Sequence, residues 1–138
     1  MPIGIYDDAP PLAIVAPIPP TVNHSIGARG KSRFRSSKYK AFLKAMLAAV
    51  TIPDKWDATR RFAVAVVLHF NSNRKCDIDN RVKPLLDALT ACGVWDDDSQ
   101  VDLIMIKRGE KDKDRPRAEI YIRSVITEFD AVFKQLAK

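Results

Sequence analysis

Asp77 and Asp79 stand two positions apart in the run Lys75-Cys76-Asp77-Ile78-Asp79. If that run is extended, both carboxylates face one side of the chain. Two anions held together repel and raise each other's pKa unless a positive charge intervenes. Lys83, four residues after Asp79, offers one, because on a helix the pair has the favoured acid-first i,i+4 order. A second acidic group, Asp96-Asp97-Asp98, follows Trp95. Each feature also has a purely structural explanation. Asp79 suits the N-cap of a helix starting at Asn80, Lys83 suits a surface ion pair worth about a few tenths of a kcal/mol, and an aspartate run suits a turn. Asp77 has no such explanation. Were the second group to lie beside the first, three or four carboxylates would surround one point. With no histidine or cysteine cluster, that donor set fits Mg²⁺, or Mn²⁺ in its place, better than Zn²⁺.

Competing chemistries find little support. The two histidines, His24 and His69, are far apart and lack ligand spacing. Cys76 and Cys92 form no CxxC pair, which argues against both a zinc site and a redox couple. There is no Walker loop and no GxGxxG, so no small-molecule cofactor is expected. The charge distribution is more informative. The net charge is +6 and the pI about 9.5, in the range of nucleic-acid binders. No acid occurs between Asp8 and Asp54, while Arg29, Lys31, Arg33, Arg35, Lys38, Lys40 and Lys44 fall in that interval. A second basic cluster runs from Lys107 and Arg108 through Lys111 to Arg117. Compact acidic groups inside a basic frame point to phosphodiester chemistry.

The elements that must position these residues can be read from periodicity. At 138 residues and 46% apolar content the chain suits one domain with its own core. No signal peptide is expected from its acidic start and no apolar run of about 18 residues occurs, so no membrane contact and a cytoplasmic location are expected. Residues 1–11 read as a loose extension and 12–138 as the folded domain. Leu12–Val15 is a short strand closed by Pro17, Pro19 and Pro20, and 21–36 a basic loop. From Ser37, Tyr39, Phe42, Leu43, Met46, Leu47 and Val50 make one helical stripe, which Pro53 stops. Residues 61–70 alternate as a strand. A helix is expected over 80–91, ended by Gly93, although Pro84 fits only if that helix begins late or its first turn is distorted. Strands at 101–107 and 118–123 and a closing helix at about 127–137 complete the chain. The order β, α, β, α, β, β, α predicts an α+β fold, a small mixed sheet flanked by helices.

The stretch Cys76-Asp77-Ile78-Asp79-Asn80-Arg81-Val82-Lys83-Pro84-Leu85-Leu86-Asp87-Ala88-Leu89, followed by Gly93-Val94-Trp95-Asp96-Asp97-Asp98-Ser99-Gln100-Val101, resembles the RusA family of Holliday junction resolvases. Pro17-Ile18-Pro19-Pro20-Thr21-Val22-Asn23 looks like the same family's N-terminal PxPPSxN signature, with Thr21 for the commoner Ser. Cys76 departs from relatives, which often carry a basic residue or proline there. The resemblance implies that Asp77, Asp79 and Asp98 are catalytic, metal-binding acids, that Asp97 is the adjacent acid and a further candidate ligand, and that Lys83 is the functional lysine. It also implies a homodimer, which suits the two-fold symmetry of a four-way junction. The expected activity is a Mg²⁺-dependent endodeoxyribonuclease resolving junctions by paired symmetric nicks in DNA recombination and repair. Arg29, Lys31, Arg33, Arg35, Lys38, Arg74, Lys75, Lys107, Arg108 and Lys111 are the candidate DNA contacts. The alternatives are a nuclease acting mainly on flaps, forks or other branched DNA, and a non-catalytic junction-binding module whose acids are only caps and turns.

Overall fold

Phe62, Val64, Val66 and Leu68 lie on one face of an eight-residue strand and are all buried. An alternating apolar row of this kind is stable only at the centre of a sheet with a covered face. The computed structural model describes residues 10–22, 26–29, 32–125 and 136–137. Within them the elements are β1 (Leu12–Ala16), β2 (Ile26–Arg29), β3 (Ser32–Arg35), α1 (Ser37–Ala49), β4 (Phe62–His69), α2 (Val82–Ala91), β5 (Val101–Arg108) and β6 (Arg117–Ser124). The main sheet has the order β1-β6-β4-β5, with β2 and β3 forming a separate hairpin. Strand β6 is antiparallel to both β1 and β4, whereas β4 and β5 are parallel. A parallel pair needs a crossover. Residues 70–100 supply it, and every acid singled out from the sequence lies on that crossover.

Both helices cover the same sheet face. Phe42 and Met46 of α1 and Leu85, Leu86, Ala88 and Leu89 of α2 close over Leu12, Ile14, Ile120 and Ile122. On the opposite face, Ala13, Tyr121, Ala65 and Met105 stand in one cross-strand row. Tyr121 and Met105 in that row are exposed, as is Val15 beside it.

The mixed α+β sheet is as expected, and so are the positions of β1, β4, β5, β6 and α1 to within two residues. Ser36 caps α1 by accepting from the Tyr39 N–H at 3.2 Å. Leu47, assigned to the buried stripe, instead faces outward. The segment 21–36, expected to be a loop, contains the β2–β3 hairpin. Two four-residue strands rich in Arg, Ser and Gly have no apolar alternation, so periodicity could not reveal them. Most of the expected helix at 127–137 and most of the extension at 1–11 lie outside the described residues.

Pro84 is accommodated by a late helix start. Residues 79–81 form a 3₁₀ turn and α2 begins at Val82. Pro84 is then the third helical residue, one of the first-turn positions whose N–H has no intrahelical acceptor in any case. At the other end Gly93 takes φ +83°. Its N–H bonds the Thr90 carbonyl at 3.0 Å, and the Val94 N–H bonds that of Leu89 at 3.2 Å. This is a Schellman stop, and it turns the chain back toward the start of α2. Trp95 then enters the core beside Phe62, with ring centroids 5.8 Å apart, and its indole N–H reaches the Thr90 hydroxyl at 2.7 Å. Truncating a buried aromatic of this size costs about 3–5 kcal/mol, so Trp95 is the main anchor of the acidic turn that follows it.

The pairing of β4 with β5 slips by one residue after Phe62, which pairs with Val101 while Ala63 pairs with Leu103. Asp102 is the extra residue of this bulge, and it receives a two-pronged bond from Arg61. The guanidinium holds the Asp102 carboxyl below the usual carboxylate range. A carboxyl depressed in the folded state contributes stability that is complete above its unfolded pKa, about 3.9, and is lost as pH falls through the lower folded value. Between pH 5 and 3 the wild-type melting temperature should therefore fall further than that of Asp102→Asn. Parallel melting curves across that range would show the pair to be inert.

Candidate active site

The crossover contributes two turns. The first, at Asp77–Arg81, leads into α2. The chain bends at Ile78, whose backbone is helical (φ −95°, ψ −27°). Asp77 and Asp79 are thus not presented from one extended strand, contrary to expectation. Nor does Asp79 cap a helix: neither the 3₁₀ turn nor α2 has a side-chain cap. Both carboxylates are exposed, and no described residue donates to either, so the structural explanation of Asp79 falls away. Arg81 holds this turn from behind. Its guanidinium donates to the Pro19 carbonyl at 2.6 Å and lies 5.2 Å above the Phe70 ring. The PxPP segment is thereby tied to the acidic turn.

The second turn is Asp96–Gln100. Asp97 is the N-cap of a 3₁₀ turn over 98–100, accepting from the Ser99 N–H at 3.0 Å. The Ser99 hydroxyl, and after it the Ser99 N–H, hold the Asp97 carboxyl below its ordinary range, with a smaller contribution from the Lys83 charge. Asp98, one residue on, points back to α2. Its Oδ2 accepts from Lys83 Nζ at 2.7 Å, and the same ammonium reaches Asp87 Oδ1 at 2.9 Å. The two carboxylates push the Lys83 pKa up. The anticipated Asp79–Lys83 pair is absent among the described contacts. The α-helix starts only at Val82, so Asp79 lies outside it and lacks i,i+4 geometry; Asp87, one turn ahead, takes its place.

Lys83 thus draws Asp98 to the start of α2, close behind the turn that carries Asp77 and Asp79. Even so, among the described residues no three His, Cys, Asp or Glu side chains gather as a ready-made cation cage. The expected clustering of Asp77, Asp79, Asp97 and Asp98 is not formed in this conformation. One acid is engaged as a cap, one is paired with the Lys83 ammonium, and two face solvent. The donor chemistry still suits a hard divalent cation, since only carboxylate oxygens are on offer and two carboxylates accept from no described donor.

Basic residues frame the turns. Arg74, Lys75, Arg108 and Lys111 line one cleft of about 370 Å³ with Phe70, Ser72, Asn73 and Cys76. Lys38 lines another, of about 540 Å³, together with Arg81 and Pro17–Thr21. Lys107 is exposed on β5 but lines neither. Arg29, Arg33 and Arg35 belong to the β2–β3 hairpin, whose side chains are not among those described, and Lys31 lies outside the described residues. Arg108 is less available than the sequence suggested. It donates to the Cys76 carbonyl and sulfur and stacks 5.6 Å from the Phe70 ring. His69 bonds Glu119 and, through Nδ1, the Glu110 carbonyl at 2.8 Å. It fixes the basic loop at a point where only Gly109 fits, because a Cβ there would lie 2.7 Å from the imidazole Nδ1.

The profile of the family Endodeoxyribonuclease RusA matches residues 17–123. The chain belongs to the RusA family. It is 32% identical over 98 residues to the crossover junction endodeoxyribonuclease RusA of Enterobacteria phage HK97, an alignment that covers 70% of this chain and 82% of the phage protein. This RusA protein is therefore a nuclease, and the matched segment contains both turns and α2. Strand β1 lies before the match, yet pairs along its whole length with β6 and completes the sheet. Asp87, Arg81 and Gln100 were not singled out from the sequence. A signal existed for two of them: Asp87 stands four residues after Lys83, and Asp97-x-x-Gln100 has capping-box spacing.

The contacts of Arg108 give it a bracing role that a DNA contact would not require. Arg108→Ala should lower stability by about 2 kcal/mol, the low end of the combined scale of a charged hydrogen bond and an exposed cation–π contact. Arg74→Ala should leave stability unchanged. Urea denaturation of the two variants checks this, and equal midpoints would return Arg108 to a DNA-binding role alone.

Proposed function

We propose that this RusA protein is a Mg²⁺-dependent endonuclease that resolves four-way DNA junctions by paired, symmetric nicks. The observation that carries the reading is the Lys83 bridge. It brings Asp98 to the helix start that follows Asp77 and Asp79, inside the segment matched by the family profile. The HK97 relative is named as a crossover junction enzyme, and the same substrate class is assigned to this chain. With a chromosomal or phage junction as substrate, the protein would act in the cytoplasm. Residues 12–138 would act as one unit.

Asp77, Asp79 and Asp98 would hold Mg²⁺, with Asp97 serving as the cap that orients Asp98. When bound, Mg²⁺ supplies an activated water and stabilises charge on the phosphorane. The P–O3′ bond breaks as a P–O bond to water forms; the water proton passes to solvent, and the leaving 3′ oxygen is protonated. Lys83 has three N–H donors, of which Asp87 and Asp98 use two. The third is left for a phosphate oxygen or the leaving oxygen. Arg74, Lys75 and Lys111 in their cleft, Lys38 beside Arg81, and the arginines of the hairpin would neutralise backbone phosphates and set register without reading bases. Two matched cuts call for two active sites related by a two-fold axis. The sheet face bearing Val15, Met105 and Tyr121, which no described element covers, is the apolar surface suited to a second copy.

The test is a synthetic four-way junction labelled on each strand in turn, incubated with Mg²⁺ or with EDTA. Symmetric nicks with Mg²⁺ and none with EDTA are expected. Asp79→Asn should reduce the rate by at least about 10³-fold while junction affinity in Ca²⁺ holds or tightens, since a negative charge beside phosphate is removed. Cleavage confined to flaps or forks would shift the substrate to other branched DNA, and cleavage by Asp79→Asn would remove that acid from the site.

Replacing Arg33 and Arg35 together by Ala should weaken junction binding. The slope of log K against log salt should become shallower by roughly 0.9 for each phosphate the variant no longer neutralises. An unaltered slope in a filter-binding titration would put the DNA surface away from the hairpin.

A further inference from the structure

Gln100 ends the acidic turn and has every hydrogen-bonding position of its carboxamide occupied. Oε1 accepts from the Asp96 N–H at 3.0 Å and the Asp97 N–H at 2.9 Å. Nε2 donates to the carbonyls of Ala58 at 2.6 Å and Arg60 at 2.7 Å. An amide offers two lone pairs and two N–H donors, so nothing is left over. The first two bonds lie within the turn; the second two cross some 40 residues of sequence to the loop before β4. That loop is itself restrained. The Asp57 carboxylate accepts from the Thr59 N–H at 3.0 Å, and the Trp56 indole donates to the Val94 carbonyl at 2.8 Å. Arg61, next along, donates to the Ser99 carbonyl at 2.9 Å.

We propose that Gln100 is a positioning residue for cleavage, fastening the Asp96–Asp98 turn to residues 58–60 so that this remote loop sets where Asp98 meets Lys83. The proposal rests on the reading that Asp98 works in the active site. It differs from the simpler account in which Gln100 only completes a capping box with Asp97. Glutamate serves in a capping box as well as glutamine does, so on that account Gln100→Glu is silent. Under the proposal it is not. The substituted carboxylate keeps one oxygen for the Asp96 and Asp97 amides but sets its other oxygen, with no proton, against two carbonyl oxygens. The turn survives while its attachment fails.

The experiment compares the wild type, Gln100→Glu and Asp98→Asn for junction cleavage at saturating Mg²⁺ and for junction affinity in Ca²⁺. A turn displaced by about 1 Å costs on the order of 10²-fold in rate. Gln100→Glu should therefore lose about that factor in kcat while its affinity stays within about twofold. Wild-type kcat in Gln100→Glu overturns the proposal. A second measurement needs no variant: in the wild-type protein both Gln100 carboxamide protons should be protected from solvent exchange by NMR, and rapid exchange of either overturns the attachment. Full cleavage by Asp98→Asn, with those protons still protected, would sink the active-site reading separately and leave the attachment standing.

Discussion

Acids cannot be gathered without a counter-charge, and in this protein the counter-charge is Lys83. Its ammonium lies between Asp87 on its own helix and Asp98 on the following turn. An exposed pair of this kind contributes only about 0–1 kcal/mol, and the Lys83 side chain is 61% exposed. Its importance is therefore geometric. It is the one described side-chain link from the acidic turn after α2 to the beginning of that helix. In its absence two nearby anionic segments would have reason to move apart.

The larger energies come from apolar burial behind the turns. Trp95 anchors the second turn from within, stacking toward Phe62, which in turn lies 5.3 Å from Trp56. Arg81, bonded to Pro19 and resting on Phe70, restrains the first. The parallel pairing of β4 and β5 compels a crossover, and the Gly93 stop folds that crossover sharply enough to return Asp98 to the start of α2. Charge chemistry and packing are thus divided between different residues. The acids face outward where a substrate could reach them, while aromatic and aliphatic side chains one or two positions away fix their backbone.

The same division explains why bases that look alike in the sequence differ in the fold. Arg74, Lys75 and Lys111 remain at the rim of a cleft, but Arg108 is committed to Cys76 and Phe70. Arg61 serves Asp102 and Ser99. Guanidinium groups offer five donors in a plane, and here several of them bind main-chain carbonyls of distant loops. A count of positive charges treats all of them as phosphate ligands, whereas the fold assigns some to its own loops.

Much was determined by the sequence alone. Alternation at 62–70, the apolar stripe from Tyr39 to Met46, and Gly and Pro at the element ends are local signals, so the sheet strands and both helices followed from them. The acidic pairs and Lys83 were visible because their side-chain chemistry does not depend on the fold. The hairpin at 26–35 was invisible, since its short polar strands are held by pairing with each other and not by an apolar face. The partner of Lys83 was misread because a 3₁₀ turn moved the helix start to Val82, a shift driven by Pro84 and by attachments at Pro19 and Phe70 far away in the chain. Gln100 could be seen as part of a cap, but not as a link to Ala58 and Arg60. Such contacts join residues some 40 positions apart, and only the closure of the β4–β5 pairing brings them within hydrogen-bonding distance.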